Sequence, residues 1–113
     1  MKSPIYKEII PDGFGYKAMT LYPYILVKKG KKLTGEEQNH EMIHFYQQEE
    51  MGLLPFLLSY LKYFISGMII NKFNWKLAYS LIPFEQEAYD NMDNLDYLKT
   101  RRVMAWLNYN NKA

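Results

Sequence analysis

The stretch TGEEQNHEMIH, residues 34–44, combines a helix-start signal with the only two histidines of the chain. Thr34 and Glu37 have the spacing of a capping box, in which each side chain bonds the backbone N–H of the other at the first turn of a helix. The sequence therefore predicts a helix over residues 34–51 that carries both histidines near its middle.

His40 and His44 form an H-E-x-x-H motif with Glu41 between them. Residues four apart on an α-helix differ in direction by roughly 40°, so both imidazoles can bind one zinc ion at about 2.0–2.1 Å. Glu41 is rotated about 100° from His40, a direction that suits a base acting on a metal-bound water better than a third ligand. The motif therefore predicts zinc bound by two histidines, with Glu41 as the general base.

A catalytic zinc site needs a third protein ligand, and the chain has no third histidine and no cysteine. The ligand must then be an acidic residue. Glu49 and Glu50 share the helix of the histidines, but Glu49 points to another face and Glu50 lies about 9 Å further along the axis. Glu85 and Glu87 on a later helix are better candidates. They flank the apolar stripe of that helix on opposite sides, so periodicity leaves the choice between them open.

The N-terminal residues 1–30 form a predicted strand region within a single α+β domain over residues 1–113. Tyr, Ile, Val and Leu are frequent there, and the β-prone runs are Ile5–Ile10, Phe14–Thr20 and Leu21–Lys28. We expect these runs to pair as a small set of antiparallel strands. Pro23 inside the third run predicts an edge position or a break.

Three to four helices should follow the strands. The pattern places them at residues 34–51, 53–70 and 84–98, and it leaves the short apolar stretch 75–82 helical or extended. Residues 53–70 are nearly long enough to cross a membrane. A central lysine, Lys62, would cost about 2.5–3.5 kcal/mol in a bilayer. We therefore predict a buried core helix, with peripheral membrane contact through residues 53–70 as the alternative.

The composition excludes several classes of protein. A net charge of +2 is too small for a typical nucleic-acid-binding domain, and no nucleic-acid-binding motif is present, so we expect no nucleic-acid partner. The absence of cysteine excludes disulfides and thiolate metal sites. The first residues contain no apolar run of signal-peptide length, which predicts a cytoplasmic protein, with membrane association through residues 53–70 as the variant.

The two motifs together resemble those of the gluzincin-type zincin metallopeptidases. In that family an H-E-x-x-H helix is completed by a glutamate from a later E-x-x-A-D-like helix, here Glu85-Gln86-Glu87-Ala88. Aligning the alanines implies Glu85 as the third zinc ligand, with Glu87 as the alternate, in a minimal zincin-like fold. Tyr89 stands where these peptidases usually have an aspartate, and Asp90 is a substitute for it. The chain also resembles a group of short bacterial proteins with H-E-x-I-H-x-x-Q-Q and F-E-x-E-A-Y motifs, which implies no particular activity.

These observations predict a zinc-dependent metallopeptidase that acts on a peptide or protein substrate. Zinc held by His40, His44 and Glu85 would activate a water, and Glu41 would take its proton and pass it to the leaving amine. The alternative is a non-catalytic zinc-binding regulatory or structural module, because a chain of 113 residues offers few walls for a substrate cleft.

Other residues near the motifs are candidates for supporting roles. Gln47, one turn beyond the histidines, could hydrogen-bond the ligand carboxylate or a substrate carbonyl. Tyr22, Tyr24 and Tyr89 are candidates for stabilising an oxyanion. The predicted strand Leu21–Val27 could bind an extended peptide by edge pairing.

Overall fold

A three-stranded sheet forms the N-terminal part of the fold. The computed structural model describes residues 3–11 and 16–112. Within them β1 covers Ile5–Ile10, β2 covers Ala18–Leu21 and β3 covers Tyr24–Lys28. The strand order is β1-β3-β2, which makes β3 the central strand. The predicted strand region is therefore confirmed for the part of residues 1–30 that the structure describes.

The sheet is mixed, whereas the sequence predicted antiparallel strands throughout. β2 and β3 are antiparallel, with Thr20 opposite Ile25, but β1 runs parallel to β3 on the other side of that strand. Pro23 lies in the turn between β2 and β3, so the predicted break is confirmed and the predicted edge position is wrong. Residues 12–15, which include the start of the predicted run Phe14–Thr20, lie outside the described residues.

Five α-helices and one 3₁₀ helix follow within the described part of the chain. They are α1 (Gly35–Met51), α2 (Leu53–Ile70), α3 (Trp75–Ser80), α4 (Pro83–Asn91), α5 (Tyr97–Thr100) and the 3₁₀ helix Ala105–Lys112. The predicted α+β class is confirmed. There are more helices than the three to four expected, because the stretch 75–82 contains a helix and the predicted helix 84–98 is divided.

The capping box at the start of α1 is present. Thr34 Oγ1 accepts a hydrogen bond from the N–H of Glu37 at 3.1 Å, and the Glu37 carboxylate accepts one from the N–H of Thr34 at 2.8 Å. The helix ends at Gly52, whose φ of 87° is a conformation that favours glycine. α1 contacts β2, α2 and α4, so most of its central residues are inside the protein.

The predicted helix 84–98 is wrong in its C-terminal half, because α4 ends at Asn91. The side-chain amide of Asn39 in α1 donates hydrogen bonds to the backbone carbonyls of Asn91, Met92 and Asn94 at 3.0–3.2 Å. These contacts satisfy carbonyl groups that a continuing helix would otherwise use. The end of α4 is therefore fixed by a tertiary contact, which the periodicity of the segment cannot reveal.

The predicted core helix 53–70 forms with the expected bounds, but the prediction that it is buried is wrong. Phe56 is its only buried residue. One side of α2 packs on the core cluster Phe56, Ile82, Phe84 and Trp106, while its leucines and isoleucines on the other side are exposed. Among the described residues, α2 is the one helix long and apolar enough to cross a membrane by length and composition alone, with mean hydropathy 1.7.

Candidate metal centre

α1 and α4 bring together the three residues predicted as metal ligands. His40 and His44 lie on successive turns of α1, and Glu85 lies in the first turn of α4. All three side chains are buried. One ligand atom from each lies within 4.8 Å of the others, and the group can hold a metal ion. The prediction that α4 supplies a carboxylate to the histidine pair is confirmed by this geometry.

The distances between the ligand atoms fit a small tetrahedral cation. His40 Nε2 and His44 Nε2 are 3.2 Å apart. Glu85 Oε1 lies 3.1 Å from His44 Nε2 and 3.5 Å from His40 Nε2. A regular tetrahedron with metal–ligand bonds of about 2.0–2.1 Å has edges of roughly 3.3–3.4 Å. The separations of the three atoms are therefore close to those between three corners of such a tetrahedron.

A chain of buried hydrogen bonds orients the His44 ring. The Nδ1 atom of His44 lies 2.8 Å from Oε1 of Gln47, and the Gln47 amide nitrogen donates to the carbonyl of Phe84 and to the carboxylate of Glu87. Because these two acceptors fix the amide orientation, Gln47 Oε1 accepts from His44 Nδ1–H. In the neutral ring Nε2 is then the nitrogen without a proton, and it faces His40 Nε2 and Glu85 Oε1. Gln47 thus supports a histidine, and the predicted contact with the ligand carboxylate is not observed.

Glu87, the alternate third ligand, is fully buried but belongs to a different cluster. Its carboxylate accepts hydrogen bonds from Gln47, Tyr97 and Arg101. Arg101 also binds Glu50 through two of its nitrogens. Glu87 is therefore neutralised by an arginine, and the group of metal-binding geometry among the described residues contains Glu85 instead.

Tyrosine side chains surround the ligand group. The hydroxyl of Tyr60 in α2 donates to Glu85 Oε2 at 2.7 Å, leaving Oε1 to face the histidines. Tyr89 contacts the His40 ring edge-on, with centroids 4.5 Å apart. No hydrogen-bond partner reaches the buried Nδ1 of His40 within the described residues. The Glu85 carboxylate is thus hydrogen-bonded by Tyr60, whereas Asp90 is exposed. Tyr89 lies beside the His40 ring.

The protonation states reflect strong mutual attraction inside the group. Burial lowers the pKa of His44, but the Glu85 carboxylate, together with Glu41 and Gln47, outweighs it and raises the pKa to about 9. Burial raises the pKa of Glu85. The adjacent histidines and the Tyr60 hydroxyl have the larger, opposite effect, so the pKa of Glu85 stays well below its usual value. The carboxylate is thus ionised, and the group favours a bound cation, whether a proton or a metal.

Glu41 lies beside the ligand group on the wall of a cleft. The hydroxyl of Thr20 in β2 is 2.7 Å from Glu41 Oε1 and 3.0 Å from its backbone carbonyl. This contact holds the carboxylate on the side of α1 that faces the cleft. Glu41 is only partly buried, so its carboxylate can contact water while Thr20 fixes its position.

The cleft has a volume of about 270 Å³ and is open to solvent. All three ligand residues and Glu41 contribute to its walls, and the other walls are mainly apolar and aromatic: Tyr16, Ala18, Met19, Leu21, Phe56, Leu57, Tyr60 and Tyr79. A catalytic zinc site keeps one coordination position open. The ligand group opens into a space where a water and a substrate group could reach such a position.

The predicted peptide-binding strand is wrong, and two of the three tyrosines predicted as oxyanion stabilisers lie elsewhere. β3, which contains most of the predicted peptide-binding strand Leu21–Val27, is the central strand and has no free edge. β2 is the strand that lines the cleft. Tyr22 donates to Glu49, and Tyr24 is not part of the cleft wall, so neither can stabilise an oxyanion at the ligand group. Tyr79 is the tyrosine that both lines the cleft and lies near Tyr89.

Thr20, Tyr60 and Arg101 are the site residues that sequence reasoning missed. Each reaches the site from another element, β2, α2 or the segment after α5. Tyr60 lies one turn beyond Phe56 on α2, which was the available signal, but an apolar helix does not reveal which of its faces is buried. Thr20 and Arg101 stand in no pattern that could have identified them.

Comparisons with known proteins identify no family for this chain. The chain matches no protein-family model, no curated protein and no solved structure.

Proposed function

We propose that the protein is a zinc-dependent hydrolase that cleaves peptide bonds. The observation that carries the proposal is the buried group of two imidazole nitrogens and one carboxylate oxygen, separated by 3.1–3.5 Å and open to a cleft lined by Glu41. A purely structural zinc site would need a fourth protein ligand. Glu87, the alternate ligand predicted from the sequence, is bound by Arg101 instead.

The donor set supports zinc as the metal. Two histidines and one glutamate are a common ligand set for catalytic zinc. Calcium and magnesium prefer six or more oxygen ligands, and this group offers a single carboxylate. When bound, zinc would lower the pKa of a water to about 7 and polarise a substrate carbonyl.

The chain itself supplies the proton transfers. Glu41, which lines the cleft, accepts a proton from a water and returns it to the leaving amine in this proposal. Thr20 keeps the Glu41 carboxylate in place during both steps, because its hydroxyl bonds one carboxylate oxygen and leaves the other for the water. Glu41 therefore serves as the general base and then as the general acid.

Tyr79 is the candidate for stabilising negative charge on the substrate. It lines the cleft, and burial, with the Glu85 carboxylate and Tyr89 adding to it, raises the pKa of its hydroxyl well above the usual value. The hydroxyl thus stays protonated and can donate a hydrogen bond to a developing oxyanion.

β2 is the element to which we assign the substrate backbone. Gln48 of α1 already pairs with this strand, donating to the carbonyl of Thr20 and accepting from the N–H of Tyr22. Gln48 thus occupies the C-terminal part of β2. An extended peptide would pair with the N-terminal part, at Ala18 and Met19, both of which line the cleft. This arrangement would place a peptide carbonyl between Glu41 and the ligand group.

Replacing Glu41 with Gln tests the proposal. After loading with zinc, the wild type should hydrolyse members of a mixed peptide library, and Glu41→Gln should lose at least 100-fold in kcat/KM while it still binds zinc. Glu36→Gln makes the same chemical change at an exposed position of α1 and should be unaffected. Absence of turnover by the zinc-loaded wild type, or full activity of Glu41→Gln, would contradict the proposal.

A further inference from the structure

α2 carries a continuous apolar stripe that no described residue covers. Helical geometry places the six residues of this stripe within an arc of about 120°, opposite the side that holds Phe56. The members of this stripe, which we call the α2 stripe, are Leu54, Leu57, Leu58, Leu61, Ile65 and Ile69, each between 39% and 66% exposed. Surface residues of this kind are common singly, but a row of six along one helix indicates a binding surface.

The charge around the α2 stripe is of one sign. No Asp or Glu lies between Glu50 and Glu85 in the sequence, and Lys62, Lys72 and Lys76 all lie in that interval. All three lysines are exposed. Around the helix axis, Lys62 lies roughly 20° beyond the edge of the stripe. The α2–α3 region is thus apolar and cationic, while the remaining chain contains all of the acidic residues.

Two aromatic side chains are exposed just beyond the C-terminus of α2. The N–H of Phe73 bonds the carbonyl of Met68, and Lys72 has a φ of 55°. This is the pattern of a helix-ending motif in which the residue at the position of Phe73 usually packs back on the helix. Here Phe73 is 71% exposed and Trp75 is 57% exposed. Both rings therefore extend outward, next to the lysines.

We propose that the α2–α3 region binds the surface of an anionic lipid bilayer. α2 lies in the plane of the membrane, the α2 stripe enters the boundary between headgroups and acyl chains, and the lysines contact anionic headgroups. Trp75 and Phe73 occupy the interfacial layer that aromatic residues prefer. The length of α2, about 27 Å at 1.5 Å per residue, lets all six stripe residues insert together.

The charges favour a bilayer over a second copy of the chain. Two copies joined through the α2 stripe would bring the lysines of both partners together without any acidic residue of this region to neutralise them. An anionic membrane supplies the opposite charge along with an apolar layer. Leu57 belongs both to the stripe and to the cleft wall, so a bound bilayer would lie beside the opening of the cleft.

Flotation of the full chain with lipid vesicles tests the apolar part of the proposal. The wild type should float with vesicles of phosphatidylcholine containing 30% phosphatidylserine, and Leu58→Glu with Ile65→Glu should reduce the bound fraction at least tenfold. The matched control is Val103→Glu with Leu107→Glu, which makes the same change at two exposed apolar residues outside α2 and should bind like the wild type. All variants are first checked for a native circular dichroism spectrum.

The cationic part is tested with two triple variants of equal charge. Lys62→Gln, Lys72→Gln and Lys76→Gln together should weaken binding to the anionic vesicles roughly 100-fold, since each lysine near an anionic surface contributes about fivefold. Lys29→Gln, Lys31→Gln and Lys32→Gln remove three exposed lysines from the loop after β3 and should have a much smaller effect. Raising the salt concentration should release the wild type.

Four results would overturn the proposal. They are failure of the wild type to bind the anionic vesicles, equal effects of the two triple variants, equal effects of the two glutamate pairs, and formation of a dimer through the stripe in place of vesicle binding. Protein that stays in the membrane fraction after alkaline carbonate extraction would contradict the in-plane geometry, because that result indicates a spanning helix. None of these outcomes depends on hydrolytic activity or on zinc.

Discussion

α1 and α2 are similar in length, 17 and 18 residues, and they differ in what they bury. α1 buries seven residues, five of them polar: Asn39, His40, His44, Gln47 and Gln48. α2 is far more apolar and buries only Phe56. In most proteins the more apolar helix would be the more buried one. The difference shows that α1 is inside because of the site it builds, and that α2 holds only one of its faces against the protein.

The buried polar residues of α1 are tolerated because nearly all have partners. A buried polar group left without a hydrogen bond costs about 1–3 kcal/mol, and Gln47 alone makes three such bonds, to His44, Phe84 and Glu87. The exposed face of α2 has no comparable compensation in water. Most buried polar groups of α1 therefore find partners among the described residues, while the α2 stripe is exposed there.

The largest expected effect is a loss of stability when the cation beside the polar residues of α1 is removed. Arg101→Met leaves the buried carboxylate of Glu87 and the partly buried carboxylate of Glu50 without their cation, so we expect a loss of about 3–5 kcal/mol in the free energy of unfolding, measured by urea denaturation. Arg102→Met removes the neighbouring, exposed arginine and should change it by less than about 0.5 kcal/mol. Equal effects of the two changes would mean that the buried carboxylates do not need Arg101.

A second pair of substitutions compares the two faces of α2 directly. Phe56→Ala removes a ring that packs against Phe84 and the His44 ring, and it should cost about 3–5 kcal/mol in stability. Leu58→Ala, on the α2 stripe, should cost less than about 0.5 kcal/mol. If thermal or urea unfolding showed a large loss for Leu58→Ala, the stripe would be packed against protein in solution, contrary to this structure.

Tyr60 connects α2 to the candidate metal centre, because it lies on α2 and its hydroxyl bonds the carboxylate of Glu85 in α4. Tyr60→Phe should lower the affinity for zinc by about 10–100-fold, as is typical when a residue that orients a metal ligand is lost. The measurement is competition with a chromophoric chelator. Tyr63→Phe removes a hydroxyl from the same helix at a residue whose ring contacts Phe84 and Trp106, and it should leave the affinity unchanged.

The smallest effect concerns the position of Glu41. Thr20→Val removes the hydroxyl that bonds the Glu41 carboxylate and should reduce kcat/KM about tenfold with zinc affinity unchanged, because a hydrogen bond to a charged group contributes about 1.5 kcal/mol. Thr20→Ser keeps the hydroxyl and should restore most of the activity. Equal activity of the two variants would remove Thr20 from the account of the site.

Local signals in the sequence predicted local features of the structure. The capping box of Thr34 and Glu37, the bounds of α2, and the meeting of the histidine pair with an α4 carboxylate all follow from helix geometry and short motifs. The parallel pairing of β1, the end of α4 at Asn91 and the exposure of the α2 stripe depend on contacts between distant segments. Periodicity shows where a helix forms. When a helix is apolar on all faces, as α2 is, periodicity does not show which face is buried against the protein.

The supporting residues of the site were beyond prediction for a related reason. Gln47 was a recognised candidate, because it lies one turn from His44 on the same helix. Tyr60 is one of 11 tyrosines in the chain, and Arg101 follows a short helix that the pattern did not separate from α4. Their roles arise only when three elements pack together.

The metal content of the purified protein tests the central claim most directly. After exposure to zinc and removal of excess ion, the wild type should retain one zinc per chain, measured by elemental analysis. Glu36→Gln should retain the same amount, and Glu85→Gln should lose most of it. A folded wild type without bound metal, or Glu85→Gln with undiminished zinc, would contradict the assignment of His40, His44 and Glu85 as a metal centre.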